Sequence, residues 1–324
     1  MDKIKIGIIG YGNLGRGAEA AIQQQEDMEL VAIFSRREKI NIQDNKAKSL
    51  HIDEVKKYKN EIDVLILCGG SSKDLPQQTP YYTKHFNTVD SFDTHQNIPN
   101  HFKKVNEVAQ ESGKISIISV GWDPGMFSIN RVMSEAVLPE GKTYTFWGKG
   151  VSQGHSDAIR RVEGVKDGVQ YTLPSAEMIS QVRNGKKPYA VKNNLHKREC
   201  YIVLEEGADK KNVKDKIKTM PNYFDEYDTV VHFITEEELT IKHNHMQHGG
   251  FVIHNGLTVK HNHVIEYSLS LGSNPEFTSS VLVAYARAAY RLSQEGIKGA
   301  KTVYDIGPGY IHPNSAQQLR EFKL

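Results

Sequence analysis

Residues Gly10-Tyr11-Gly12-Asn13-Leu14-Gly15 follow directly on the apolar run Lys3 to Ile9. Glycines at this spacing let a chain turn sharply from a strand into a helix and bring backbone N–H groups against a pyrophosphate. The string also arises by chance, so its context matters. Here the helix-compatible run Ala18 to Gln25 and a second strand-like run ending at Ser35 follow at the right distance. That second run closes as Phe34-Ser35-Arg36-Arg37. In an NAD site this position usually carries Asp or Glu, which accepts the ribose 2′-hydroxyl. A serine and two arginines offer donors and positive charge instead, and guanidinium forks suit a 2′-phosphate. The cofactor expected is NADP(H).

A second set of residues is scattered more widely. Polar groups stand beside glycine or aromatic residues in Gly121-Trp122-Asp123-Pro124-Gly125-Met126, Phe146-Trp147-Gly148, Ser152-Gln153-Gly154-His155-Ser156-Asp157, Tyr171-Thr172-Leu173-Pro174, His196-Lys197-Arg198 and Met246-Gln247-His248-Gly249-Gly250. They form no local motif and must converge in space to act together. Histidines also crowd one stretch, at His243, His245, His248, His254, His261 and His263. The pairs His243/His245 and His261/His263 lack nearby cysteine and the spacings of structural zinc sites, so no metal is expected. His248, followed by two glycines, is the functional candidate among them. Cys68 and Cys200 both lie in apolar strand-like runs and read as reduced core thiols of a cytoplasmic protein rather than nucleophiles.

These residues need elements to hold them. Strand-like runs at Lys3–Ile9, Glu29–Ser35, Asp63–Cys68, Phe86–Val89 and Lys114–Val120 alternate with helical stretches, notably Ile98–Glu111 closed by Gly113. That alternation predicts an α/β fold with a Rossmann-type doubly wound parallel sheet. Ligands gather beyond the carboxyl ends of such strands. Cys68-Gly69-Gly70-Ser71-Ser72, Asp90-Ser91-Phe92-Asp93 and Gly121 to Gly125 all fall there. After residue 125 longer strand-like runs adjoin one another, at Thr143–Trp147, Arg198–Leu204, Thr229–Ile234 and Val264–Leu271, with short helices at His155–Val162 and Lys211–Met220. This predicts an α+β domain with a mainly antiparallel sheet. Asn274-Pro275-Glu276 reads as an N-cap with proline at the first helical position. The helix it opens runs to Gly296 and returns the chain to the nucleotide domain. The expected division is 1–120 with 275–324 for the dinucleotide, and 121–274 for dimerisation and substrate.

The bulk numbers agree. A length of 324 residues holds two cores, and a formal net charge of +2 is too balanced for a nucleic-acid surface. No apolar run approaches the ~20 residues that span a bilayer, and a strand beginning by the third residue leaves no room for a signal peptide.

Several strings resemble the meso-diaminopimelate dehydrogenase family: Gly121-Trp122-Asp123-Pro124-Gly125-Met126-Phe127-Ser128, Phe146-Trp147-Gly148, Ser152 to Arg161, Gln170-Tyr171-Thr172-Leu173-Pro174, His248-Gly249-Gly250 and Asn274-Pro275-Glu276-Phe277. The resemblance covers nearly the whole chain; only Arg183 to Asn194 matches poorly. It implies an NADP-dependent homodimer that oxidatively deaminates the D-centre of meso-2,6-diaminopimelate to L-2-amino-6-oxopimelate and ammonia. The product is in equilibrium with cyclic tetrahydrodipicolinate, and the reverse reaction serves lysine and peptidoglycan precursors. It implies Gly10, Tyr11, Gly12, Asn13, Leu14 and Gly15 at the pyrophosphate and Ser35, Arg36 and Arg37 at the 2′-phosphate. Gly69, Gly70, Ser71, Ser72, Ser91, Phe92, Asp93, Gly121, Trp122, Asp123, Pro124 and Gly125 would line the rest of the cofactor. The implied substrate residues are Asp93, Asp123, Trp147, Ser152, Gln153, Gly154, Thr172, Arg198, His248 and Asn274.

The chemistry of that substrate suits these residue types. Its carboxylates call for donors, which Arg198, Thr172 and His248 supply at the distal L-end and the Ser152–Gly154 backbone at the reacting end. Its ammonium groups call for acceptors: Asp93, Asp123 and the Asn274 side-chain oxygen. Hydride transfer needs a neutral amine. No lysine falls within the matching strings, although Lys149 and Lys197 are near, so Asp93 or Asp123 is expected to take the proton. The alternative is that both acids only orient the substrate. Two further readings remain: an NADP-dependent sugar or lactone dehydrogenase, which would want a lysine in the Asp90–Asp93 loop, and an NADP-binding protein without catalysis. A D-amino-acid dehydrogenase of broader specificity is the milder variant.

Overall fold

The computed structural model describes residues 3–221, 223–243 and 247–324, with the side chains of all of these except Gln153 and Lys192. His245 and Met246 therefore lie outside the described residues. The run Ile4–Ile9 forms strand β1, nearly all of it buried, as a central strand covered on both faces must be. Helix α1 (Asn13–Gln23) follows, then β2 (Met28–Ser35), β3 (Lys48–His51), β4 (Val64–Leu67), α2 (Leu75–Thr83), β5 (Asn87–Asp90), α3 (Ile98–Ser112) and β6 (Ile115–Ile117). Gly113 caps α3 in the left-handed conformation, where glycine carries no Cβ penalty. β6 is shorter than the sequence suggests. Ile118 N–H makes a last bond to Lys301 O, and Ser119 then takes a positive φ of 58°, which turns the chain out of the ladder.

Helix α4 (Met126–Val137) leads to β7 (Gly141–Trp147), β8 (Gly150–Val151), α5 (Gln153–Arg160), β9 (Val165–Pro174), α6 (Ala176–Arg183) and α7 (Lys192–Leu195). Next come β10 (His196–Leu204), α8 (Lys210–Lys218), β11 (Asp228–Phe233), α9 (Glu236–Lys242), β12 (His248–Thr258) and β13 (His261–Leu271). The chain closes with α10 (Asn274–Gln294), β14 (Gly299–Lys301), α11 (Pro308–Ile311) and α12 (Ala316–Lys323). Asn274 is itself the first helical residue, one position inside the expected cap.

Two compact units result, Met1–Ile129 with Pro275–Leu324, and Asn130–Asn274. The first holds a seven-stranded sheet in the order β14-β6-β5-β4-β1-β2-β3, with every pair parallel. Strand order reverses at β1, so the loops after β1, β2 and β4 crowd one crevice at the carboxyl edge. α10 packs its buried face into the same core as α1 and β1. A Cβ at Gly17 would strike Ser279 and the Glu276 backbone, which is why α1 carries glycine where it meets that helix.

The second unit departs from the single sheet expected. It contains a four-stranded sheet β11-β10-β9-β8 and a three-stranded sheet β13-β12-β7. All their pairings are antiparallel except β10 with β11. The sequence hid this because β9 carries Lys166, Asp167 and Gly168 within its alternation, and β12 has Gly249 and Gly250 near its start.

Candidate active site

In the first unit, Gly10 follows β1 with φ +91°, and a Cβ there would press on the Cys68 carbonyl at 3.1 Å. A Cβ at Gly15 would collide with the Gly10 carbonyl oxygen. Gly12 faces open space and is the N-cap of α1, whose first-turn N–H groups have no side-chain cap. The first glycine turns the chain, the third lets helix and strand approach, and the second clears the way to unsatisfied donors. This cradle fits a dinucleotide pyrophosphate.

At the end of β2 the Arg37 N–H donates to Ser35 Oγ at 3.0 Å, and the Arg37 guanidinium donates to the Tyr11 carbonyl. Arg36 pairs with Asp74 at 3.2 Å across the carboxyl edge of β1. Asp74 also accepts the Gly70 N–H at 2.9 Å, which ties Arg36 to the Gly69–Ser72 loop after β4. The Tyr11 hydroxyl donates to Glu19, and burial plus that bond push its pKa up to about 12.

Asp90, at the end of β5, organises the remaining loops. Its Oδ1 accepts the N–H groups of Phe92 at 3.0 Å and Ser119 at 2.9 Å. Its Oδ2 accepts from Thr79 Oγ1 at 2.7 Å and contacts His101 Nε2 at 2.8 Å. The Asp90 carbonyl takes the Val120 N–H as well. One buried carboxylate thus fixes both the Ser91–Asp93 loop and the approach to Gly121–Gly125. It also holds Ser119 in a left-handed conformation that a serine does not adopt cheaply. His101 stacks on Phe92 with ring centroids 4.2 Å apart. Ser71 Oγ accepts the Asp93 N–H at 2.8 Å, joining the loops after β4 and β5. In the last loop Trp122 meets Phe127 edge-on and the Gly125 N–H donates to Ser128 Oγ at 3.1 Å. The Asp93 side chain is exposed and that of Asp123 half-buried. Burial pushes the thiol of Cys68, half-buried in this same unit, up to about 12, which disfavours the thiolate that a nucleophile needs.

In the second unit, Arg198 on β10 stands opposite Thr172 on β9, and Thr172 in turn opposite Gly150 on β8. The Arg198 guanidinium donates to Thr172 Oγ1 and lies 4.1 Å from the Tyr227 ring centroid. Among the described residues its buried Nε has no partner. Trp147 is fixed by His196, whose Nε2 accepts the Trp147 N–H at 2.8 Å and whose ring stacks on the indole. His248 is buried at the start of β12, and its ring occupies the space a Cβ on Gly150 would take. Ser152 caps α5 and bonds His155 Nδ1 at 2.7 Å, while its own N–H donates to Gln170 O at 3.0 Å. Gly154 lies in the first turn of α5. Nothing is described of the Gln153 side chain. Thr172, Arg198, Trp147, Ser152 and His248 thus share one assembly, and Asn274 stands at the end of this unit.

Burial, assisted by the Arg198 charge, holds His155 down at about 4 and His196 at about 3. The same two causes, burial first, lower His248, although its backbone contact at Gly249 opposes them. At neutral pH these are uncharged rings beside a cation, which suits neutral donors and acceptors rather than a second positive charge. Three further histidines of the 243–263 stretch make hydrogen bonds: His243 with Tyr171, His254 with Thr143 and Leu138 O, and His263 with Thr258. Among the described residues no three potential ligands gather into a metal site.

Sequence reasoning missed Glu19 and Tyr227, and it named Asp90, Gln170 and His196 only within strings, without a role. His196, Arg198, Cys200 and Ile202 alternate as one face of β10, a signal that places His196 beside Arg198. Tyr227 carries no such signal, because it precedes β11 in an irregular turn.

Residues 121–273 match the family model of the diaminopimelic acid dehydrogenase C-terminal domain. The chain is 62% identical over 324 residues to the meso-diaminopimelate D-dehydrogenase of Ureibacillus thermosphaericus, covering 99% of each chain. It is similar in structure to a sixfold mutant of the Clostridium tetani E88 meso-DAP dehydrogenase crystallised with DAP. That pair superimposes with a TM-score of 0.95 at 53% identity over 99% of this chain and 100% of that one. An engineered D-amino acid dehydrogenase bound to NADP+ aligns with a TM-score of 0.90 at 42% identity, over 99% and 100% respectively.

Proposed function

The chain belongs to the meso-diaminopimelate dehydrogenase family, and on that premise we propose that it interconverts meso-2,6-diaminopimelate with L-2-amino-6-oxopimelate and ammonia by oxidation at the D-centre. It is an oxidoreductase and its cofactor is NADP. The observation that carries the substrate reading is Arg198: a buried guanidinium bonded to a neutral hydroxyl, with Nε unpartnered among the described residues. A buried cation in that state calls for an anion, and a carboxylate offers the matching fork.

The roles follow from chemistry. Gly10–Gly15 hold the pyrophosphate, Ser35, Arg36 and Arg37 the 2′-phosphate, and Gly69–Ser72, Ser91–Asp93 and Gly121–Gly125 the remainder. Bound NADP supplies the hydride acceptor. Arg198, Thr172 and His248 grip the distal L-carboxylate, and the backbone N–H groups of Gln153 and Gly154, at the turn that Ser152 opens, the reacting one. Trp147, held by His196, packs against the carbon chain, and Asn274 accepts from an ammonium. The D-centre ammonium must lose a proton before its hydride can leave. Asp93 or Asp123, as the carboxylate, accepts it, and later assists the water that attacks the iminium. Discrimination arises because the L-centre, presented in reverse, leaves Arg198 and its neighbours unpaired.

The domain roles follow in the same way: 1–120 with 275–324 for the nucleotide, and 121–274 for substrate and dimerisation. A cytoplasmic homodimer is the form in which we expect the enzyme to work. No helix of the described residues is long and apolar enough to cross a membrane. For the dimer, α4 exposes Val132, Met133, Ala136 and Val137 along one stripe. The direct test is NADPH formation at alkaline pH from meso-diaminopimelate against the L,L and D,D isomers, D-alanine and glucose. Turnover confined to the meso isomer supports the proposal. Equal turnover of D-alanine would replace it with the broader D-amino-acid dehydrogenase, and no turnover of the meso isomer would end it.

A further inference from the structure

A carboxylate in the middle of α1 is out of place on sequence grounds. Glu19 is 1% exposed, on the face where the helix otherwise buries alanine, glycine and isoleucine. Its two oxygens are fully used. Oε1 accepts the consecutive backbone N–H groups of Gln43 and Asp44, each at 2.7 Å, and Oε2 accepts the Tyr11 hydroxyl. Gln43 and Asp44 belong to the irregular segment between β2 and β3, which begins with Arg36 and Arg37. Beyond Glu19 that segment has few anchors: Arg36 pairs with Asp74 at its surface, Arg37 holds the Tyr11 carbonyl, Ile40, Ile42 and Ala47 rest on the core, and Asp44 turns back on Lys46 and Ala47.

We infer that Glu19 is a positioning residue for cofactor choice: it clamps the segment after β2 to the glycine-rich turn and so presets Arg36 and Arg37 for a 2′-phosphate. The warrant is mechanical. A loop that must place two long cationic side chains loses conformational entropy on binding unless it is already ordered. Two adjacent N–H groups on one buried carboxylate oxygen order it beforehand. A charge that touches no ligand thereby contributes to selectivity for the phosphorylated cofactor. The inference rests on Ser35–Arg37 being the 2′-phosphate site.

The test compares 2′,5′-ADP with 5′-AMP by calorimetry, together with the KM values for NADP and NAD, in the unaltered enzyme and in Glu19→Ala and Glu19→Gln. Glutamine keeps an oxygen for the two N–H groups, whereas alanine keeps nothing. The expected result is that Glu19→Ala weakens 2′,5′-ADP at least tenfold and 5′-AMP less than threefold. KM for NADP should rise in parallel while kcat at saturation stays within threefold, and Glu19→Gln should recover most of the loss. An equal weakening of both nucleotides in Glu19→Gln, or an unchanged preference in both variants, would overturn it. Failure of the unaltered enzyme to prefer 2′,5′-ADP would instead strike the 2′-phosphate assignment itself.

Discussion

His101 Nε2 lies 2.8 Å from Asp90 Oδ2, with both side chains sealed from solvent. The pair matters because the same carboxylate also fixes Phe92 and Ser119, the hinges of the loops that carry Asp93 and Asp123. An isolated buried carboxylate would be costly; four donors make it tolerable and convert it into a rigid joint.

Asp90→Asn should therefore loosen both loops at once. Hydrogen bonds to a charged acceptor contribute about 1.5–3 kcal/mol each, and an amide nitrogen facing Thr79 and His101 leaves donors opposed. A loss of about 3 kcal/mol in urea unfolding is expected, with kcat/KM for the meso substrate falling at least tenfold. An unfolding midpoint and kcat/KM both unchanged would show that the loops hold without the joint.

Arg36 and Arg37 do not contribute alike. Both side chains are exposed, but Arg36 is already shared with Asp74, whereas Arg37 is braced against the Tyr11 carbonyl. Replacing Arg37 by alanine should cost NADP binding about 1–3 kcal/mol, one lost charged hydrogen bond, while NAD changes little. Arg36→Ala should cost less, because its charge is partly neutralised at the surface. KM values for both cofactors decide the matter. A parallel rise for NAD and NADP would place the arginines elsewhere than at a 2′-phosphate.

Part of the scaffold around this site is legible in the sequence. Gly10, Gly12 and Gly15 announce their turn because each has a distinct steric duty, and Ser35-Arg36-Arg37, which has arginines where a carboxylate usually stands, carries the proposed 2′-phosphate contact. The parallel sheet followed from alternation, since strands buried on both faces read as continuous apolar runs. Asp90 and Glu19 were not legible. A buried carboxylate looks in sequence like any surface acid, and only its donors, contributed by Thr79, His101 and Ser119 or by Gln43 and Asp44, identify it. The split of the second unit into two sheets was hidden for a related reason: β9 mixes glycine and charge into its alternation, β12 mixes glycine and histidine, and pairing partners lie far apart in the chain.

The depressed histidines give the second unit a defined acid response. His155 and His196 bind a proton readily only once the chain unfolds, because burial and then Arg198 oppose the charged form in the folded state. Their stabilising contribution is complete above the unfolded value near 6.5 and is lost as pH falls toward about 4 for His155 and about 3 for His196. Each histidine in that window should steepen the loss by about 1.4 kcal/mol per pH unit. Urea unfolding between pH 7 and 4 should show this slope, and His155→Gln should flatten it. An identical slope in the variant would mean that His155 is protonated while folded.

The quaternary prediction comes from α4. Val132, Met133 and Val137 are 44%, 58% and 64% exposed, and with Ala136 and half-buried Ile129 they recur at the spacing of one helical face. A contiguous apolar stripe of this kind is unfavourable in water unless another surface covers it. A second copy meeting the same stripe would bury it symmetrically, each side contributing the same side chains. Met133→Asp with Val137→Asp places two charges in that contact and removes two apolar anchors. Their loss is worth about 3 kcal/mol, roughly a hundredfold in dissociation constant. Sedimentation at micromolar concentration should then show a folded monomer where the unaltered chain sediments as a dimer. A dimer that survives both substitutions would put the contact on another face, and an unaltered chain that sediments as a monomer would remove the homodimer altogether.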